Sequence, residues 1–134
     1  MQVGGLSLFQ ALGDKMRWHQ ARQGVLAENV ANADTPGYRE RDLKAFSLSE
    51  VGKSSAMVTT SVTSPTHISV SSGGGPAAYG SNESGNFEIT PSGNGVTLED
   101  EMMKVAGNDM DYQAVTALYT RSMRLLKIAI GRGG

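Results

Sequence analysis

Ala27-Glu28-Asn29-Val30-Ala31-Asn32-Ala33-Asp34-Thr35-Pro36-Gly37-Tyr38 is the stretch on which the fold turns. Pro36 clashes with a helical conformation at the residue before it, so any helix arriving from the N-terminal side must end at or before Thr35. Pro36-Gly37 then suits the two central positions of a type II turn, the second of which takes a positive φ that glycine accepts. Asn29 and Asn32 sit where their amides can reach exposed carbonyls at the helix end or a neighbouring chain. Two readings fit: a plain helix stop, or a fixed corner that redirects the chain along an assembly.

Upstream of the stop, apolar residues keep a helical period from about Gly5 to Ala33. Phe9, Leu12, Met16, Leu26, Val30 and Ala33 fall on one heptad seam, with His19 and Gln23 in its intervening positions. The spacing predicts an amphipathic helix of about 43 Å. His19 on this seam reads as an interface residue rather than a ligand.

A second helix is expected from Thr97 to about Ile130. Thr97 is a good N-cap, with Asp100 three residues on, where a capping box prefers Glu or Gln. Leu98, Met102, Val105, Tyr112, Tyr119, Met123, Leu126 and Ile130 track a second heptad seam, interrupted by Asp109 and Thr116. Acidic residues Glu99, Asp100, Glu101, Asp109 and Asp111 gather in the first half, and Arg121, Arg124, Lys127 and Arg132 in the last part, a polarity that complements the helix dipole.

Between the helices, from Ser47 to about Gly95, Ser, Thr, Gly, Pro and Asn dominate, as in Ser71-Ser72-Gly73-Gly74-Gly75-Pro76. This part reads as loop, with room for a short β-hairpin drawn from Met57–Val62, His67–Val70 and Asn86–Ile89. Three segments follow: 1–46, an N-terminal helix with its turn; 47–95, the polar middle; and 96–134, a C-terminal helix that packs with the first as one domain. The expected fold is mainly α, two long terminal helices paired as an antiparallel coiled coil.

Such a pair leaves apolar residues over. Leu8, Trp18 and Val25 on the first helix and Leu118, Leu125 and Ile128 on the second lie off the seams. Only 39% of the 134 residues are hydrophobic and 17 are glycine. A chain this poor in apolar surface is expected to need neighbouring subunits to cover a second stripe, and to be poorly ordered alone. The seven methionines suit packing in slightly different environments.

Composition also narrows the function. Twelve basic against 13 acidic residues give a formal charge of -1, with no patch to draw nucleic acid. No cysteine is present, which removes disulfides, thiolate nucleophiles and Cys-ligated zinc. His19 and His67, the only histidines, lie in separate segments outside any metal motif, and neither Gly73-Gly74-Gly75 nor Gly93-Asn94-Gly95 leads into the Lys-Ser/Thr of a phosphate loop. Glu99-Asp100-Glu101 is better explained by the helix dipole than by acid–base chemistry. No catalytic residue, cofactor, metal or small-molecule substrate is therefore expected. The first residues have neither a basic leader nor an apolar run of signal-peptide length, so export, if it occurs, would be without a cleaved leader.

The run Ala31-Asn32-Ala33-Asp34-Thr35-Pro36-Gly37-Tyr38 resembles the signature near the N-terminus of the flagellar axial proteins, the rod, hook and hook–filament junction subunits. Arg22–Asn32 followed by Arg39-Glu40-Arg41-Asp42-Leu43, and Asn94–Val105 with Asp111-Tyr112-Gln113-Ala114, resemble the short proximal-rod members of that family. The resemblance implies a structural rod subunit, exported by the flagellar type III apparatus and seated in the basal body on the periplasmic side of the inner membrane. Its implied partners are copies of itself, other rod proteins, the adaptor at the rod base, and membrane-ring and export-gate proteins. It implies helix packing through Phe9, Leu12, Met16, Trp18, Leu26 and Val30 on the first helix. On the second it implies Met102, Val105, Tyr112, Leu118, Tyr119, Met123, Leu126 and Ile130. Asn29, Asn32, Thr35, Pro36, Gly37 and Tyr38 form the family turn. Competing readings are another short rod subunit, a cytoplasmic coiled-coil adaptor, or a rod-associated peptidoglycan-cleaving enzyme, for which no carboxylate or metal constellation is evident.

Overall fold

A computed structural model describes residues 3–48, 79–83 and 89–131, and within these the chain is mainly helical. Helix α1 runs Val3–Ala31, strand β1 Arg41–Leu43, strand β2 Ser81–Glu83 and helix α2 Leu98–Gly131. At 1.5 Å per residue the helices are about 43 and 51 Å long, so α2 is the longer.

The two helices pack against each other in opposite directions. Phe9 meets Tyr119 edge to face at 5.6 Å between ring centres. Gln20 donates to the Tyr112 hydroxyl at 3.1 Å. Earlier on α2, Asn108 meets His19 and Gln23, and Glu101 meets Asn29 further along α1. No helix of the described residues is long and apolar enough to cross a membrane.

The face of α2 turned to α1 differs from the expected seam. Val105, Tyr112 and Tyr119 share it and are half-buried, but the buried positions between them are Glu101, Asn108 and Val115, each one residue earlier than Met102, Asp109 and Thr116. Met102 is exposed instead. One residue is 100° around the helix, enough to exchange a core position for a solvent position. A purely apolar reading favoured Met102. Glu101 and Asn108 win because each finds buried partners on α1 that a thioether would leave unsatisfied.

The middle of the chain adds a small two-stranded antiparallel sheet, with Arg41 opposite Glu83, Asp42 opposite Asn82 and Leu43 opposite Ser81. The expected hairpin segments Met57–Val62 and His67–Val70 lie outside the described residues, as does Asn86–Ile89 except for Ile89, which is in no strand. A short antiparallel two-stranded sheet is thus present as expected, but it pairs the run after the Pro-Gly turn with a later polar segment and not the residues named for it.

That run is a strap lying back along α1. Three α1 side chains hold it in reverse order. Asn29 binds Arg41, Arg22 grips the Asp42 carboxylate with two hydrogen bonds of 2.9 and 2.7 Å, and the Trp18 indole N–H donates to the Lys44 carbonyl at 2.9 Å. Trp18, Ala21, Val25 and Leu43 form the buried apolar cluster, with Phe46 and Tyr79 packed against it. The expectation that Trp18 and Val25 need neighbouring subunits for cover is therefore corrected. Trp18, Arg22, Val25 and Asn29 recur at helical spacing as one stripe, and the chain's own strap covers it.

Candidate functional site

Two regions carry the features singled out in the sequence: the corner where α1 ends and α2 begins, and the opposite, open end of the helix pair.

At the corner α1 stops at Ala31, two residues short of the expected end. Thr35–Tyr38 is the turn foreseen there: the Tyr38 N–H donates to the Thr35 carbonyl at 3.2 Å and Gly37 has φ 73°. The loop before α2 packs directly on it. Gly93, at φ 81°, comes so close that a Cβ there would lie 3.5 Å from the Gly37 Cα. The Asn94 amide donates to the carbonyls of Asn32 at 3.0 Å and Thr35 at 2.7 Å, while its oxygen accepts from the Val96 N–H. One buried side chain thus adds a second donor to turn carbonyls that already accept the Thr35 and Tyr38 N–H groups, and ties the loop before α2 to the corner.

Asn29 is fully buried and is the hub of the corner. Its amide donates to the Arg41 carbonyl at 2.7 Å and to Glu101 Oε2 at 2.9 Å, and its oxygen accepts from the Arg41 N–H at 3.0 Å and the Tyr38 hydroxyl at 3.2 Å. A single amide therefore holds both backbone groups of Arg41 as a strand would. The alternative that Asn29 reaches a neighbouring chain does not hold. Asn32 also turns to its own chain, donating to the Glu28 carbonyl and accepting from Thr35 Oγ1.

Behind Asn29 two buried carboxylates, Glu40 and Glu101, share Lys104, whose Nζ lies 3.4 Å from Glu40 Oε1 and 2.8 Å from Glu101 Oε1. Burial works against the Lys104 ammonium, but the hydrogen bond and charge of Glu101, helped by Glu40, outweigh it and raise its pKa. The hydrogen bond to Asp42 likewise raises that of Arg22, against its partial burial. Halfway along, the His19 Nδ1 and Asn108 Oδ1 are 2.7 Å apart, and the Asn108 amide donates to the His19 carbonyl and to Gln23 Oε1. These contacts knit the two helices in register through polar groups; among the described residues no cluster suited to a metal ion occurs.

The open end is different. Phe9, Leu12 and Met16 are half-buried against α2, but past the Phe9–Tyr119 contact α1 has six residues left and α2 twelve, so the last part of α2 outruns its partner. Leu118, Met123, Leu125, Leu126, Ile128 and Ile130 are between 43% and 74% exposed, and Leu8 faces solvent on α1. The basic residues expected to complement the end of α2 stop short of it: its last turn holds none, and Arg132 lies outside the described residues. The acidic first turn, Glu99, Asp100 and Glu101, is as foreseen.

Of the packing residues named from the sequence, Trp18 and Leu26 are buried. Phe9, Leu12, Met16, Val30, Val105, Tyr112 and Tyr119 are half-buried, and Met102, Leu118, Met123, Leu126 and Ile130 are exposed. In the turn, Asn29 is buried, Asn32 and Tyr38 half-buried, and Thr35, Pro36 and Gly37 exposed. The residues that the sequence does not mark as packing positions are the polar ones, Glu40, Asn94, Glu101, Lys104 and Asn108. For Glu101 and Asn108 the available signal is the heptad recurrence Glu101, Asn108, Val115 beside an interrupted apolar seam; Glu40, Asn94 and Lys104 lie outside it.

The fold is a pair of antiparallel helices locked by polar contacts at one end and exposing apolar side chains at the other. A family model described as flagella basal body rod protein matches residues 18–39, the second half of α1 and its corner. The flagellar basal body rod protein FlgB of Cereibacter sphaeroides is 35% identical over 113 residues, covering 83% of this chain and 84% of its own. FlgB of Agrobacterium fabrum is 28% identical over 95% of each chain. FlgB of Escherichia coli is 35% identical over 69% of this chain and 70% of its own. The chain belongs to the FlgB family of flagellar basal body rod proteins. Its role is structural, in the flagellar basal body, and it is not an enzyme.

Proposed function

We propose that this chain is a building block of the proximal rod, passed out by the flagellar type III apparatus and set on the periplasmic side of the inner membrane. Segments 1–46 and 96–134 work as one packing domain that carries the polar middle, 47–95. The neighbours are copies of itself, other rod proteins, the adaptor at the rod base, and membrane-ring and export-gate proteins.

The observation that carries this reading is the exposed apolar surface of the last three turns of α2. Leu125, Leu126, Ile128 and Ile130 are helix-bound, at least 43% exposed and uncovered by the described part of the chain. Apolar groups crowded on so short a length mark a contact surface. Coiled-coil packing of the terminal helices with those of adjacent subunits would remove them from water, while the corner keeps each pair in register.

Leu126→Asp tests the reading. An exposed position changes the stability of the isolated chain by less than about 0.5 kcal/mol, but a charge placed in a packed seam is expected to abolish motility and remove the chain from purified basal bodies. Normal motility with Leu126→Asp present in basal bodies would rule out this surface as an assembly contact.

A further inference from the structure

On the reading just proposed, α2 carries two further surfaces that fit each other. At 3.6 residues per turn they lie on opposite flanks of the helix, either side of the buried row Glu101, Asn108 and Val115. One flank is a ridge of Asp100, Gly107, Asp111, Ala114 and Leu118, all exposed. Gly107 has nothing within 4 Å of where its Cβ would stand, so its bare backbone faces outward and not α1. The other flank is an open groove between side-chain rows of α2 alone, whose lining includes Thr116, Ala117, Thr120 and Arg124. Lys127, also exposed, follows less than one turn after Arg124.

We infer that the acidic ridge of one copy of this chain seats in the arginine-lined groove of the next copy, in the same orientation and displaced along the helix. Charge chooses the occupant: Asp111 of the ridge answers Arg124 and Lys127 of the groove side. Shape agrees, because a ridge with Gly107 and Ala114 lets a second helix approach closely while Leu118 supplies apolar contact. The flanks being opposite makes the contact heterologous, so it propagates instead of closing into a pair. Setting Asp111 beside Arg124 shifts successive copies by 13 residues, about 20 Å at the helical rise. Gly107 then stands beside Thr120.

Cysteine pairs test this in the full chain, which has no cysteine of its own. Gly107→Cys and Thr120→Cys chains are co-expressed in the source bacterium lacking its native copy, oxidised in place, and probed for dimer. A mixed Gly107→Cys/Thr120→Cys dimer is expected, with neither variant cross-linking to itself. Asp111→Arg or Arg124→Asp alone, added to both chains, should cut that dimer at least fivefold. Both reversals in each chain should restore it, which separates lost pairing from misfolding. Three results would overturn the inference while leaving the rod reading in place: a motile strain without the mixed dimer, self-cross-linking of either single variant, or a Thr120→Cys adduct to a different protein. Absence of the unaltered chain from basal bodies would defeat the rod reading itself, and the inference with it.

Discussion

The corner end of the helix pair and the open end are built from the same two helices and bury different things. At the corner Asn29, Glu101, Glu40 and Asn94 are buried and hydrogen-bonded, with Lys104 between the carboxylates, and the apolar cluster is the small one of Trp18, Ala21, Val25 and Leu43 under the strap. At the open end the polar network is gone and leucines, isoleucines and a methionine stand in water. Polar groups demand partners of fixed geometry, so they specify one arrangement; apolar surface accepts many partners and leaves the arrangement to whatever arrives. A subunit that must keep its own shape yet meet several neighbours gains from having both, separated along one axis.

The largest expected break in this contrast is Trp18→Ala. It removes the largest side chain of the buried cluster together with its hydrogen bond to Lys44 and its stacking under Arg22. A loss of about 3–5 kcal/mol in chemical denaturation is expected, with the strap released. Asn29→Ala comes next: it strands both backbone groups of Arg41 and one oxygen of Glu101, and should cost about 3 kcal/mol. The corresponding truncation at the open end, Ile130→Ala, should leave the isolated chain within about 0.5 kcal/mol of the parent. Equal losses at the two ends would erase the distinction.

The smallest effect is alkaline. Lys104 and Tyr79 both hold their protons more firmly in the folded chain than at their ordinary values of 10.5 and 10.0, Tyr79 because burial disfavours its phenolate. The unfolded chain releases these protons first, so the stabilisation is full below about pH 10 and lost as pH rises through the folded values. Thermal midpoints should therefore drop above pH 10, and Lys104→Met should flatten part of that drop.

Much of this is legible in the amino-acid sequence. The two helices and the Pro36-Gly37 turn follow from period, caps and the stereochemistry of proline and glycine, which act over a few residues. The α1 seam of Phe9, Leu12 and Met16 needed only periodicity. What escaped depends on residues far apart in the chain. Nothing local to Arg41–Leu43 announces that it lies on α1, so the Trp18–Val25 stripe looked like surface awaiting a neighbour. Glu101 and Asn108 were passed over as core because charged and amide side chains are rarely buried unless paired, and the pairs are with Asn29, His19 and Gln23 of the other helix. The exposed end of α2 was foreseen in kind, since Leu118, Leu125 and Ile128 lie off any single seam.

The contrast between the ends is tested most directly by amide hydrogen exchange along α2 in the purified full chain. Amides from Glu101 to Val115 should exchange slowly and those from Met123 to Ile130 at least a hundredfold faster, with the second group becoming protected in assembled basal bodies. Uniform protection of the whole helix in the isolated chain would show that its far end is already covered and needs no neighbour.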